Sequence, residues 1–295
     1  MSGNKRLVGS IVSLAAVAGL FLVINQKTPA PAGQPAEENK VHYSIYSQKD
    51  FFEKAFTAAP ALAKSSTTGN ILGILFNHHL LAPHFIAQAF NAVESDGPLT
   101  VVLLGPNHFG VGSGPILTSR ESWQTPYGVL SSDIELVDSL IVSGLVKADE
   151  GPFENEHGIR NIVAFIKHSL PEAKVVPLII KDNLPSQTAD ALAQFLADLP
   201  VDVLLAGSFD FSHYHDLETA NLHDEKSLAV VKNLSWADTL DLDTDSGPGL
   251  RVFLEALSLR RALNFTLLEH SNSAIVARQL ESTSTTSYIT GYFSR

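Results

Sequence analysis

The sequence predicts an α/β protein: a three-layer α/β/α single domain around a mostly parallel central sheet, preceded by an N-terminal apolar helix. Three observations carry this. Short apolar runs alternate with segments of helical spacing from residue 48 onward. The runs are apolar throughout instead of alternating with polar residues, as expected of strands covered on both faces. No internal repeat and no linker follows residue 40, so 41–295 reads as one domain.

The elements follow in order. "SQKDFFEKAFT" (48–58) is a short amphipathic helix, and "NILGILF" (70–76) a buried strand. "LLAPHFIAQAFNAV" (80–93) has helical spacing after Pro83, and "LTVVLLG" (99–105) is a second strand. "TPYGVLSSD" (125–133) reads as a turn into the helix 131–144, capped by Ser131 or Ser132 and stopped by Gly144. "ENEHGIRNIVAFIKHSL" (154–170) reads as one helix ending at Pro171, followed by the strand "KVVPLII" (174–180). A helix over 186–199 leads to "VDVLLAGSFD" (201–210), a strand running into a loop. Helices over 218–234 and 249–263 precede two closing strands, "NFTLLEH" and "TTSYITGYF". "HSNSAI" (270–275) reads as a turn.

Upstream, Lys5 and Arg6 precede the uncharged run "LVGSIVSLAAVAGLFLVI" (7–24), about 18 residues and enough to reach across a bilayer core of roughly 30 Å. The basic flank is expected to stay in the cytoplasm, which places the rest outside. The segment 1–26 is therefore expected to be a membrane anchor, with a signal peptide cut after Ala30-Pro31-Ala32 as the alternative. Residues 27–40 form a Pro/Ala-rich linker.

Composition narrows the chemistry. Of 295 residues, 45% are hydrophobic and 17% charged, a globular balance. The net charge of −11 disfavours nucleic acid as a partner. There is no cysteine, which excludes disulfides, thiolate metal sites and cysteine nucleophiles. Any metal must be held by nitrogen and oxygen, and the chain has 11 histidines. It has no phosphate-loop motif, no dinucleotide fingerprint after the first strand and no Gly-x-Ser-x-Gly elbow.

The strand ends share one kind of chemistry. The first strand ends in Asn77-His78-His79, the second in Asn107-His108, and the strand 201–207 in Asp210-Phe211-Ser212-His213. In a parallel sheet these ends lie on one edge, where ligands bind. His78, His108, Asp210 and His213 are thus expected in one crevice, where a divalent metal takes two imidazoles and a carboxylate. His157, in "ENEHGIR", lines the same crevice as a substrate contact or proton relay, unless Glu156 and His157 merely open a helix. His42, His84, His168, His223 and His270 read as structural or surface residues.

The blocks "NHHLLA", "LLGPNHFG", "TPYGVLSSD", "NEHGIRNIVAFI", "VVPLII", "GSFDFSHY" and "TSYITGYF", in this order, resemble the Memo-like proteins, also called AmmeMemoRadiSam system protein B, over about residues 70–293. That family is similar in fold to the LigB-type extradiol dioxygenases. The resemblance implies a non-haem divalent metal, iron(II) first, with copper or zinc as alternatives. It places His78 and His108 as ligands, His213 as the acid/base group and His157 in a Glu-His block. Asn77 stands where the family has a proline, and Ser246 stands nearest a cysteine that some members contribute. The third ligand is then a carboxylate, with Asp210 preferred over Asp243 and Asp245. An exported location would set the chain apart from the cytosolic partners of the family's gene group.

Three functions compete. The first is a metal-dependent, dioxygenase-like oxidoreductase acting on a small molecule, with His213 and His157 catalytic. The others are a peptide- or partner-binding module and a metal-assisted hydrolase. Oligomeric state is not encoded in any of these features.

Overall fold

A computed structural model describes residues 40–60, 71–93 and 99–295. From residue 40 onward they belong to one compact unit. The chain begins with β1 (Val41–Tyr43), α1 (Asp50–Ala58), β2 (Ile71–Phe76), α2 (Pro83–Asn91) and β3 (Thr100–Pro106). Three short strands follow, β4 (Ile116–Thr118), β5 (Ser122–Thr125) and β6 (Gly128–Leu130), then α3 (Ile134–Val142) and β7 (Lys147–Ala148). A 3-10 turn (Gly151–Glu154) leads to α4 (His157–Arg160), α5 (Val163–Ser169), β8 (Lys174–Ile180), α6 (Ser186–Ala197), β9 (Val203–Ser208) and β10 (Phe211–His215). The chain closes with α7 (Leu217–Asn233), a 3-10 turn (Trp236–Asp241), α8 (Gly247–Leu259), β11 (Asn264–Asn272), α9 (Ser273–Val276) and β12 (Thr285–Ser294).

Among the described residues the main sheet has nine strands in the order β10-β12-β2-β9-β3-β8-β4-β7, with β11 on β12. Its centre, β2-β9-β3-β8, is parallel, as the uniformly apolar strands require. Antiparallel pairing is confined to the flanks, where β12 pairs with β2, β10 and β11, and β4 with β8.

Side chains alternate across the central strands and divide the core into two layers. Val102 and Leu104 of β3, Val176 and Leu178 of β8, and Leu205 of β9 pack with Leu192, Val231 and Phe253 of the helices on one face. Val101 and Leu103, Val175 and Ile179, and Leu204 pack with Phe52, Phe90 and Phe165 on the other. This is the expected three-layer arrangement.

Local departures have local causes. The stretch read as one helix over 154–170 is broken, because Glu156 and Asn161 cap α4 at its two ends. The cap of α3 is Asp133, which accepts from the Leu136 N–H, and neither Ser131 nor Ser132 has that place. "TPYGVLSSD" holds more than a turn: β5 and β6 form a hairpin there, joined by β1 into a separate three-stranded sheet.

The expectation of a membrane-anchored, extracytoplasmic domain is corrected. No helix among the described residues is long and apolar enough to cross a membrane. The run 7–24 and the linker up to residue 39 lie outside the described residues.

Gly291 marks a place where two backbones approach closely. It sits opposite Leu267 beside the β11 bulge, and a Cβ there would lie 2.5 Å from the Thr266 carbonyl oxygen. A backbone atom within a sheet cannot swing aside. Gly291→Ala is expected to destabilise the domain by about 1–3 kcal/mol, read as a lower midpoint in denaturant titration; an unchanged midpoint would contradict the close approach.

Candidate metal centre

The parallel strands β2, β3 and β9 deliver their following residues to one edge. After β2 the chain turns tightly, and buried Asn77 pins the turn by donating from Nδ2 to the carbonyls of His79 (3.0 Å) and Ala82 (3.4 Å). A side-chain amide thus braces the turn at the position where a proline was expected. His78 emerges from it and is only 2% exposed. Its N–H donates to Asp210 Oδ1 (3.1 Å), and its carbonyl accepts from Asn161 Nδ2 (3.0 Å).

The ring of His78 is oriented by β9. Ser208 Oγ donates to the Gly158 carbonyl (2.8 Å), which leaves the Ser208 oxygen itself to accept from His78 Nδ1 at 3.2 Å. With Nδ1 held there, Nε2 faces two carboxylates, Asp245 Oδ2 at 3.1 Å and Asp210 Oδ2 at 3.5 Å.

His108 is oriented in a parallel way. Glu156, fully buried, accepts from its backbone N–H (3.0 Å) and from its ring Nδ1 (2.6 Å). The same carboxylate caps α4 by accepting from the Gly158 N–H (2.9 Å). Capping and function, weighed as alternatives from sequence, are one interaction here. His108 Nε2 is left facing Asp245 Oδ2 at 3.8 Å. The two Nε2 atoms therefore converge on one oxygen, with each Nδ1 occupied behind it.

His157 completes the cluster. Its ring stacks on His108 at 3.8 Å between centroids and meets His78 edge-on at 5.2 Å. Ligand atoms of His78, His108 and His157 lie within 4.8 Å of one another, as do those of His78, Asp210 and Asp245. His78 is common to both groups. Asp210, expected beside both histidines, groups with His78 but not with His108.

The electrostatics follow from burial. Burial pushes His78 down, but the charges of Asp210 and Asp245 outweigh it and hold the ring up at about 9. Burial pushes His157 down to about 4, helped by the neighbouring His78 and His108, so it is neutral near pH 7. Burial raises the Asp210 carboxyl above its usual range. Asp245 is held low despite its burial, by the charge of His78 and its hydrogen bond. Glu156 is likewise held low against burial, by the His108 hydrogen bond.

The residues fit a metal ion by the chemistry of their donors. Imidazole nitrogens and carboxylate oxygens face one another, and buried Asp245 Oδ1 has no hydrogen-bond partner. The Nδ1 contacts of His78 and His108 are those a metal-ligating histidine makes to its surroundings. The buried Ser246, expected nearest a cysteine position, is the N-cap of α8, accepting from the Gly249 N–H at 3.1 Å.

A cavity of about 510 Å³ opens over the cluster, with Ile45, Tyr46, Leu80 and Tyr214 among its walls. His213 lines it too, together with His78, His108, His157 and Asp210. His213 stands between Ser212 (φ 38°) and Tyr214 (φ 62°), both left-handed and non-glycine, on a strand whose register slips on either side. Such backbone costs about 1–3 kcal/mol per residue and persists only where its surroundings fix it. Here Asp224 Oδ1 accepts from Ser212 Oγ (2.6 Å), and Asp243 Oδ2 accepts from the His213 N–H (3.2 Å).

The five residues singled out from sequence, His78, His108, His157, Asp210 and His213, thus reach one cavity. Sequence reasoning missed the weight of Asp245, the double role of Glu156, and the bracing by Ser208 and Asn161. The one available signal was the acid-rich "DLDTDSG" before a helix cap.

A MEMO1 family protein of Pyrobaculum aerophilum is 26% identical over 262 residues, covering 84% of this chain and 92% of that protein. One of Methanothermobacter thermautotrophicus is 30% identical over 163 residues, covering 53% of this chain and 59% of that protein. One of Aquifex aeolicus is 31% identical over 165 residues, covering 53% and 61%. The family model described as Memo-like protein matches residues 47–292, a span that holds every block contributing to the cluster, and the chain belongs to that family.

Proposed function

We propose that the chain is a non-haem metal-dependent oxidoreductase whose cavity takes a small aromatic or peptide-like molecule. The observation that carries this is the convergence of His78 Nε2 and His108 Nε2 on Asp245, each ring fixed from behind at Nδ1. His78, His108 and Asp245 hold the metal, with His157 within reach as a further nitrogen donor. Two histidines and one carboxylate suit iron(II) among first-row metals, with copper or zinc as the alternatives. Bound there, it would supply Lewis-acid and redox chemistry. Asp210 groups with His78 but not with His108, and on this reading it is a positioning residue whose Oδ1 accepts the His78 N–H.

The chain's own residues supply the rest. Neutral His157 has a ring nitrogen able to take a proton at the cavity floor. His213 faces the same space from β10 and is the second proton-transfer group. Tyr46 and Tyr214 give the walls aromatic surface for a planar or apolar ligand.

Elemental analysis of anaerobically purified protein is expected to find a metal equivalent in wild type. His78→Ala and His108→Ala are expected to lose most of it, and His213→Ala to keep it. Once a substrate is found in a catechol and ester panel, His213→Ala is expected to lose about 10²–10⁴-fold in turnover. Full occupancy in both ligand variants would refute the site, and metal-free wild type would leave a binding module.

A pH dependence follows from His78. Metal competes with the proton held up to about pH 9, so apparent affinity is expected to fall about tenfold per pH unit below 9. In metal-free protein the same proton stabilises the fold. The folded-state value lies above the ordinary 6.5, so this stabilisation is complete below pH 6.5 and is lost as pH rises through about 9. His157, shifted to about 4, acts in a separate window, costing stability as pH falls from 6.5. Denaturation midpoints of metal-free protein that stay flat between pH 6.5 and 9 in wild type, or fall equally in His78→Ala, would contradict the assignment.

A further inference from the structure

Beyond the central cluster, a second histidine–carboxylate group is built around Asp243, next to His213. His215 at the end of β10 and His223 on α7 both reach Asp243, in the segment before α8. His215 Nε2 lies 2.8 Å, and His223 Nδ1 3.2 Å, from the same oxygen, Asp243 Oδ2. The rings meet edge-on at 4.7 Å, and the three ligand atoms lie within 4.8 Å of one another. The three side chains are 34%, 41% and 27% exposed, so a hydrated ion can approach and keep water in its remaining positions.

We propose that His215, His223 and Asp243 form a second, solvent-facing site for a borderline divalent cation, Zn²⁺ foremost. Two imidazoles and one carboxylate select Zn²⁺ over Ca²⁺ or Mg²⁺, which take mainly oxygen. Two consecutive elements and a later segment supply the ligands, so the ion ties β10, α7 and the 242–246 segment together. That segment also carries Asp245.

The site is coupled to the cavity through Asp243. Its Oδ2 accepts the His213 N–H at 3.2 Å and its carbonyl accepts the Ser212 N–H at 2.9 Å. A cation on Oδ2 competes for the lone pairs that hold His213 and so alters the setting of a cavity-lining imidazole. The peripheral ion is therefore a modulator of the His213 strand, distinct from the metal of the central cluster.

The test is equilibrium dialysis of the full chain against Zn²⁺ for wild type, His108→Ala and His223→Ala. His223 is exposed, so its removal leaves the core intact; His215→Gln serves as a second variant. Loss of an outer contact alone typically costs 10–100-fold in metal affinity. A Zn²⁺ equivalent is expected that persists in His108→Ala, resists excess Ca²⁺, and weakens at least about tenfold in both His223→Ala and His215→Gln. If neither variant removes any Zn²⁺ that His108→Ala retains, the proposal is overturned. Uptake in His108→Ala equal to wild type would instead count against the central site while leaving this one standing.

Discussion

Burying two carboxylates beside one imidazole is the constraint on which the rest of the site depends. Asp210 and Asp245 are 5% and 6% exposed, and unpaired charges at such depth are strongly disfavoured. His78 answers this with a proton that it holds far above its ordinary range. That proton sits where two Nε2 atoms and a carboxylate oxygen converge, so a divalent cation would satisfy the same field. Asp245 Oδ1, buried and without a hydrogen-bond partner, is a free donor atom for such a cation.

The scaffold supplies direction as well as proximity. Parallel strands bring His78 and His108 to one edge, but what each ring presents is decided behind it. Ser208 relays the Gly158 carbonyl to His78, and Glu156 joins His108 to the start of α4. The broken helix over 154–170 is part of this device. An unbroken helix would have no N-cap at 156 to spend on His108. The Asp210 N–H donates to the Asp245 side chain at Oδ2 and the Asp245 N–H to the Asp210 carbonyl, which locks the remaining loop into register.

Much of this was legible in the sequence because parallel strands have a fixed polarity. "ILGILF" before His78, "VVLLGP" before His108 and "VLLAGSF" before Asp210 each show an apolar run ending in a side chain of metal or proton chemistry. The geometry of the fold then gathers them. Asp245 was less legible, since 242–246 is neither strand nor helix and its two aspartates look alike in one dimension. Only tertiary contacts distinguish Asp245 beneath His78 from Asp243 beneath His215 and His223. His223 shows the same limit from the other side: on its own helix it looks like an ordinary surface residue. The hairpin of β5 and β6 escaped notice because three- and four-residue strands carry too little periodicity.

Anomalous diffraction at the iron edge, from crystals grown anaerobically with iron(II), addresses the central claim most directly. The account predicts a peak at coordination distance from Nε2 of both His78 and His108 and from a carboxylate oxygen of Asp245, with both Nδ1 contacts to Ser208 and Glu156 retained. A His78 ring still bonded to Asp245, with no anomalous peak between them at saturating iron, would contradict it.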